Sequence, residues 1–286
     1  MAQNETPIIL DETEQKIIDI IDSHRDQIID FAKDIYTHAE LGYKEFRTAE
    51  KFANFMKALG LPIKEHLAVT GVKAYLNEEK KDNVSLALIG ELDALRIPEH
   101  KYANPETQGA HCCGHHAQLA GVIGAAIALT NPEVKEKLDG QVVLFAVPAE
   151  EYGEIEFKNK LTAEGKIKYG GGKCELIRIG AFDDIDLDIV HHIGDKDISG
   201  GSTDVGDVQH IQPVLTFNTG GKVSGLHSVD FDIVDDELAY IVTAKIFALS
   251  AYRLLKNGAE KAKEVVENYH PIFTKEAYIQ YMDSFI

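Results

Sequence analysis

The densest group of potential metal ligands in this chain lies at residues 109–116, which read GAHCCGHH. Five cysteine and histidine side chains fall within six consecutive positions, a density that packing in a protein core does not require. Cys113 and His115 stand two residues apart across Gly114, so in an extended or tightly turned backbone both side chains can face one ion. We therefore predict a metal site that includes Cys113 and His115.

A pair of adjacent glutamates, Glu150 and Glu151, follows an apolar run that predicts a strand over residues 141–147. Ligands of open α/β sheets gather at the carboxyl ends of the strands, which is where this pair lies. Two such carboxylates repel each other unless one binds a cation and the other acts on water as a general base. The alternative is a pair of solvated loop glutamates, which is a common arrangement.

Three further histidines are weaker candidates. His191 and His192 lie at the end of another predicted strand, and His227 lies in the segment GLHS. A single histidine is more often held by a hydrogen bond than by a metal ion, so neither place predicts a site when it is taken alone.

The elements that must position these residues alternate between helices and strands. Apolar periodicity and apolar runs predict helices over about 12–36, 47–59, 117–129, 172–180 and 237–256, and strands over 72–76, 84–89, 141–147, 185–191 and 214–217. Nearly continuous apolar strands are typical of a sheet that is covered on both faces. We therefore predict an α/β fold of three layers, in which a central mixed, mostly parallel sheet has helices on both faces.

The composition excludes several classes of partner. The 286 residues include 29 lysines and arginines against 47 aspartates and glutamates, a net charge of −18 that repels nucleic acid and anionic lipid. We expect a cytoplasmic protein, because no basic stretch precedes an apolar core at the N-terminus and no segment approaches the roughly 20 apolar residues of a membrane span. Three cysteines, two of them adjacent, fit reduced thiols better than a disulfide scaffold.

The order of several motifs resembles the metal-dependent amidohydrolases and carboxypeptidases related to aminoacylase. These motifs are THAELG at 37–42 with Glu45 and Thr48, TGV at 70–72, GELDAL at 90–95, CGH at 113–115, PAEE at 148–151 and STDVGDV at 202–208. The chain is most similar to the branch that holds hippurate hydrolase, the indole-acetyl-amino-acid hydrolases and the aminobenzoyl-glutamate hydrolase, and GELDAL favours the last. The resemblance covers residues from about 25 to 285 and implies the fold of the zinc exopeptidases.

The resemblance also implies a role for each candidate residue. It implies five metal ligands, which are Cys113, His115, Glu151, His192 and His227. Glu150 would be the general base, and Asp93 would support the ligands without binding the ion. The family spacing, counted from Asp186, favours His192 over His191 as the ligand.

What the resemblance implies about chemistry is the hydrolysis of an amide bond in an N-acyl amino acid or a small dipeptide-like molecule such as an aminobenzoyl-glutamate. One or two divalent ions per chain would lower the pKa of a bound water, and Glu150 would take its proton and pass it to the leaving amine. A thiolate with imidazoles favours zinc, although carboxylates and histidines also suit manganese, cobalt or nickel.

The chain departs most from this family between His192 and Ser202, where relatives insert a lid and dimerisation domain and only nine residues intervene here. We expect residues 1–286 to form one catalytic domain that lacks this lid, with the insertion point at about 194–201. The run SGGS at 199–202 is either an ordinary surface loop or a linker that closes a deletion. Because relatives dimerise through the lid, we expect a monomer, which light scattering would test. In the family the lid also supplies groups that hold the substrate carboxylate and stabilise the oxyanion, so we expect impaired activity.

Two other classes of function stay open on the sequence. A metal-binding or interaction module, or an engineered lid-deleted chain, would keep the ligands and show little or no turnover. A cysteine hydrolase would use Cys113 as the nucleophile with His115 or His116 as its base, but it leaves the paired glutamates and His227 without a role. Activity that a chelator abolishes and a metal restores would separate the metal-dependent enzyme from both.

Overall fold

A six-stranded sheet forms the centre of the computed structural model, which describes residues 9–194 and 203–286. The described residues form this sheet and two separate pairs of short strands. All the strands, in chain order, are β1 Ile63–Leu67, β2 Gly71–Leu76, β3 Ser85–Glu91, β4 Leu95–Arg96, β5 Gly109–Ala110, β6 Gln141–Val147, β7 Leu187–Ile193, β8 Val214–Thr219, β9 Lys222–Val223 and β10 Asp232–Ile233. The short pairs are β4 with β5 and β9 with β10. The strand order of the six-stranded sheet is β1-β2-β6-β3-β7-β8. The last four of these strands are parallel, whereas β2 pairs antiparallel with both β1 and β6. The predicted mixed, mostly parallel sheet is confirmed.

The helices lie between and after these strands. They are α1 Glu12–Ser23, α2 Arg25–Tyr36, α3 Phe46–Ala58, α4 His115–Leu129, α5 Pro132–Lys135, α6 Ile155–Ala163, α7 Gly172–Arg178, α8 Val205–Gln209, α9 Thr243–Leu255, α10 Glu260–Asn268 and α11 Lys275–Asp283. Short 3-10 helices span Glu78–Lys80 and Asn257–Ala259, and a π-helical stretch, Glu237–Val242, leads directly into α9.

The alternation of side chains along β3 divides the core into two parts. Leu86 and Leu88 belong to a cluster with buried residues of α1, α2, α3, α4 and α9. Ala87 and Ile89 belong to a second cluster with residues of α6, α7, α8 and α11. Because helices cover both faces, every position of β3 is buried, which explains its continuous apolar run. The predicted three-layer arrangement is confirmed.

Two of the differences from the prediction have a direct physical cause. The single helix expected over 12–36 is broken at His24, where the Ser23 hydroxyl and His24 Nδ1 both donate to the carbonyl of Ile20, at 2.7 and 2.8 Å. Such side chains compete with the backbone for its own acceptors and favour a helix end. Strand β1 was not predicted, because it is an edge strand whose three central residues are exposed and polar.

The connection between β7 and α8 contains the predicted insertion point. Residues 199–202, the predicted linker, and all of the range 194–201 except Gly194 lie outside the described residues. The described flanks are tied to the core. Gly194 N–H donates to the carbonyl of Thr219 at 3.0 Å, and the backbone N–H of Lys173 donates to Asp204 Oδ2 at 2.9 Å.

The stretch 237–255 is long and apolar enough, by length and composition alone, to cross a membrane, a property that we expected no segment to have. More than half of it is buried against the rest of the protein. A Cβ atom added at Gly121 or Gly124 of α4 would come within 2.5 Å of Thr243 and Ala244, respectively, so α4 and α9 are in close contact. These contacts are those of a core helix.

Asp188 in β7 is a buried acid whose protonation affects stability. Its Oδ2 accepts a hydrogen bond from Gln212 Nε2 at 2.6 Å, and its Oδ1 has no hydrogen-bond partner in the part of the chain that the structure describes. Burial raises the pKa of Asp188 to about 7. Between about pH 4 and pH 7 the folded protein therefore keeps a proton that the unfolded chain releases, so this contribution to stability is lost as the pH rises through that window.

Asp188→Asn should raise the free energy of unfolding by on the order of 2–4 kcal/mol at pH 8 and by much less at pH 5, because the amide cannot ionise. Urea unfolding at the two pH values measures the difference. Asp30→Asn, which replaces an exposed carboxylate, is the control. An equal effect of Asp188→Asn at both pH values would show that Asp188 does not titrate in this range.

Candidate metal centre

The candidate residues gather at the carboxyl edge of the sheet. Strands β6, β3 and β7 are parallel neighbours that end at Val147, Glu91 and Ile193. The paired glutamates follow β6 after two residues, and His115 is the first residue of α4. Contributions from several neighbouring strand ends are typical of binding sites in open α/β sheets.

One group of possible ligands consists of Cys113, Glu151 and His227. Their ligand atoms all lie within 4.8 Å of one another, and His227 Nε2 is 3.3 Å from Glu151 Oε1. The backbone N–H of His227 donates to the carbonyl of Cys112 at 2.8 Å, which fixes the His227 loop to the cysteine segment. The nearby thiol of Cys113 and carboxylate of Glu151 raise the pKa of His227 to about 10. A sulfur, a carboxylate and an imidazole together form a donor set that suits zinc.

A second group consists of Glu91, His115 and Glu150, whose ligand atoms also lie within 4.8 Å of one another. His115 Nε2 is 3.0 Å from Glu91 Oε2 and 3.9 Å from Glu150 Oε2, and all three side chains are buried. Burial, together with the nearby charge of Glu91, raises the pKa of Glu150 to about 8. A carboxylate with a pKa in this range is suited to general acid–base chemistry near neutral pH.

Asp93 contacts one residue of each group, His115 and Glu151. His115 Nδ1 donates to the backbone carbonyl of Asp93 at 2.8 Å and lies 3.3 Å from Asp93 Oδ1, so the other ring nitrogen, Nε2, faces the site. Asp93 Oδ2 accepts a hydrogen bond from the backbone N–H of Glu151 at 2.9 Å. Contacts of this kind orient metal-binding imidazoles in proteins.

The adjacent histidines of β7 point to opposite faces of the sheet. His192 Nε2 lies 3.9 Å from Glu91 Oε2, next to the candidate ligands. His191 is buried in the core, where Nε2 lies 2.7 Å from Thr219 Oγ1 and the ring contacts Phe217 and Phe247. The structure therefore places His192 beside Glu91 of the second group of possible ligands and keeps His191 away from it.

The loop that carries the paired glutamates is held in an uncommon conformation. Ala149 has a φ of 49°, in the left-handed region that few non-glycine residues adopt. The buried carboxylate of Glu45 accepts hydrogen bonds from Ala149 N–H at 2.8 Å and from the Thr70 hydroxyl at 2.7 Å. Gly172 leaves room for the loop, because a Cβ atom there would lie 1.6 Å from the carbonyl oxygen of Pro148. Glu45 and Gly172 thus fix the direction in which the glutamates leave the strand.

Sequence reasoning missed three buried residues of this region. Glu91 lies in the quoted motif GELDAL, but we assigned it no role. Lys173 is completely buried, with Nζ 2.5 Å from both Glu91 Oε1 and Asp204 Oδ1, and Gln118 Nε2 donates to Glu91 Oε2 at 2.8 Å. No local pattern marks a lysine or a glutamine for burial, and only the order of the family motifs could have drawn attention to Glu91.

The donor atoms fit a divalent cation. Two buried atoms that face the site, His115 Nε2 and Glu151 Oε1, make no hydrogen bond of good geometry to any described residue. Buried polar atoms normally have a partner, and a cation is the partner that a group of imidazoles, carboxylates and a thiol accepts.

Comparison with known proteins places the chain in a family. Residues 87–282 match peptidase family M20/M25/M40. The chain is 30% identical over 175 residues to the IAA-amino acid hydrolase ILR1-like 2 of Arabidopsis thaliana, an alignment that covers 58% of this chain and 38% of that protein. It is 26% identical over 182 residues to a p-aminobenzoyl-glutamate hydrolase chain of Escherichia coli K12, covering 62% and 34%. The chain spans less than half of the length of these relatives.

Solved structures share the fold. The YxeP protein of Bacillus subtilis, described as a dinuclear metal binding peptidase from the M20 family, aligns with a TM-score of 0.66 at 15% identity over 82% of this chain and 98% of that one. A putative aminohydrolase from methicillin-resistant Staphylococcus aureus aligns with a TM-score of 0.53 at 26% identity over 64% and 44%. The resemblance that the motifs indicated is confirmed. Because the family match covers more than half of its residues, this chain belongs to peptidase family M20/M25/M40.

Proposed function

We propose that this chain hydrolyses the amide bond of a small N-acyl amino acid or dipeptide-like molecule in a metal-dependent reaction. The observation that carries the proposal is that two groups of possible metal ligands contain the adjacent residues Glu151 and Glu150, and that Glu150 is a buried carboxylate beside His115. Relatives named as hydrolases of IAA-amino acids and of p-aminobenzoyl-glutamate support a small amide substrate.

In the proposed mechanism, five residues bind the metal and one residue transfers the proton. The residues that would hold one or two divalent ions, with zinc favoured, are Cys113, His115, Glu151, His192 and His227. Such ions, when bound, polarise a carbonyl group and make water more acidic. Glu150 would accept the proton of the attacking water on its carboxylate and donate it to the leaving nitrogen. Asp93 would hold the His115 ring in the required orientation through the contact at Nδ1.

A cleft beside the paired glutamates supports a small substrate. It has a volume of about 660 Å³, within the range of small-molecule sites, and reaches from Glu150 and Glu151 to a wall that includes Tyr152, Ile155 and Phe285. These three side chains are exposed and apolar or aromatic, so this wall suits an apolar acyl group.

A chelator experiment tests the proposed function. The purified protein should hydrolyse members of a panel of N-acetyl, N-benzoyl and N-aminobenzoyl amino acids, lose this activity in EDTA, and regain it with zinc, manganese or cobalt. EDTA saturated with zinc beforehand is the control. A protein that binds metal but hydrolyses none of the panel would favour a binding module, and activity that survives EDTA but not thiol alkylation would favour a cysteine hydrolase.

A further inference from the structure

We propose that Glu91 is itself a metal ligand of this centre, and that Lys173 and Gln118 are positioning residues that hold its carboxylate towards the ion. The proposal rests on the metal site of the proposed function. It adds a ligand to the five that the resemblance implies.

The first argument is the spacing of the donor atoms. Glu91 Oε2 lies 3.0 Å from His115 Nε2 and 3.9 Å from His192 Nε2. Two atoms that each bind one tetrahedral zinc ion at about 2.1 Å are about 3.4 Å apart, and the two observed distances lie on either side of this value. The contact between Glu91 and His115 lacks hydrogen-bond geometry, because His115 Nε2 has no hydrogen-bond partner among the described residues. The two atoms are therefore placed as ligands that share an ion.

The second argument is the way in which Glu91 is held. Its Oε1 accepts from Lys173 Nζ at 2.5 Å, and its Oε2 accepts from Gln118 Nε2 at 2.8 Å. Gln118 Oε1 in turn accepts from the backbone N–H of Glu91 at 2.9 Å, and all three residues are completely buried. Carboxylates that bind metals are commonly oriented by hydrogen bonds of this kind. The clamp fixes Oε2 on the side of the two imidazoles.

The third argument is charge. Five carboxylates with buried or nearly buried side chains surround the centre, and two buried lysines are set against them. The carboxylates are Glu45, Glu91, Asp93, Glu150 and Asp204, and the lysines are Lys158 and Lys173. Ionising all five carboxyl groups together would be costly unless cations offset their charge. One or two divalent ions next to Glu91 would do so.

The assignment also resolves a competition between two glutamates. Both Glu91 and Glu150 lie near His115, but Glu150 Oε2 is 3.9 Å from Nε2, whereas Glu91 Oε2 is 3.0 Å away. If Glu91 supplies the anionic donor beside His115, Glu150 is left to move the proton. A lone pair that binds the ion cannot accept a proton at the same time.

The test compares Glu91→Gln with Asp204→Asn in cobalt(II) titrations of the metal-free proteins. Each variant removes one carboxylate partner of Lys173, but only Glu91 faces the imidazoles. Affinity is measured by competition with a chelator of known strength, and the visible absorption of bound cobalt reports the ligand set. We expect Glu91→Gln to weaken the binding of at least one ion by more than about 100-fold, beyond the usual effect of a supporting residue, and to change the spectrum. Asp204→Asn should stay within about tenfold, with unchanged bands.

Glu91→Asp is the second variant, because Glu91→Gln leaves the buried Lys173 with one carboxylate fewer. It keeps the charge and shortens the side chain by one methylene, and circular dichroism verifies its fold. We expect cobalt binding at least about tenfold weaker, with a shifted spectrum. Wild-type affinity and spectrum in both folded variants would overturn the role of Glu91. A wild-type protein that binds no cobalt would instead contradict the metal site of the proposed function.

Discussion

Glu150→Gln should abolish hydrolysis and leave the metal bound, whereas Glu151→Gln should weaken metal binding itself. Burial and the charge of Glu91 raise the pKa of Glu150 to about 8, which suits a group that takes up and releases a proton. An amide of the same size cannot do this, so we expect a fall in kcat of about a thousandfold, within the range for loss of a general base. Glu151 instead lies with Cys113 and His227, and its loss removes an anionic donor from that group.

Activity and metal content, measured on the same preparations, separate the two roles. Glu154→Gln is the matched control, because Glu154 lies in the same loop but pairs with Lys44 Nζ at 2.9 Å. It should keep both properties. If Glu150→Gln and Glu151→Gln lose metal equally, or if their effects are exchanged, the roles within the pair have been assigned in the wrong order.

The second large effect concerns the cysteine segment. Cys113→Ala and His115→Ala should each weaken zinc binding by at least about 100-fold, because each removes a side chain whose donor atom lies in one of the two ligand groups. The measurement is zinc affinity by competition with a chelator. Neither alanine leaves a donor atom to replace the one that is lost.

Cys112→Ala is the control for this pair. Cys112 is adjacent to Cys113, but it lies in the apolar core, and burial raises the pKa of its thiol to about 12. It should bind zinc like the wild type. Equal losses in Cys112→Ala and Cys113→Ala would show that the effect comes from folding and not from ligation. A Cys113→Ala protein that keeps its metal but loses all activity would favour the cysteine hydrolase.

The parts of the fold that the sequence predicted are those in which one pattern dominates. Strands β3 and β6 are buried at every position, so their apolar runs were sufficient to predict them. Edge strand β1 has no such pattern, because three of its residues face solvent and its position depends on pairing with β2. The break at His24 depends on hydrogen bonds to Ile20, which periodicity does not reveal.

The residues of the candidate site also differ in how far the sequence could predict them. Strand alternation puts only one of His191 and His192 beside the site, although it does not tell which one. His227, in a loop with a left-handed backbone, was only a weak candidate until the order of the family motifs supported it. The pair of Lys173 and Glu91 joins residues that are 82 positions apart, and charged residues are usually exposed. Its burial follows from tertiary packing alone.

The most direct test of the metal centre is elemental analysis of the wild-type protein, purified without chelators and again after reconstitution with zinc. We predict one or two divalent ions per chain, bound tightly enough to remain after dialysis. A correctly folded protein that contains no metal and takes up neither zinc, manganese nor cobalt would contradict the assignment of Cys113, His115, Glu151, His192 and His227 as ligands.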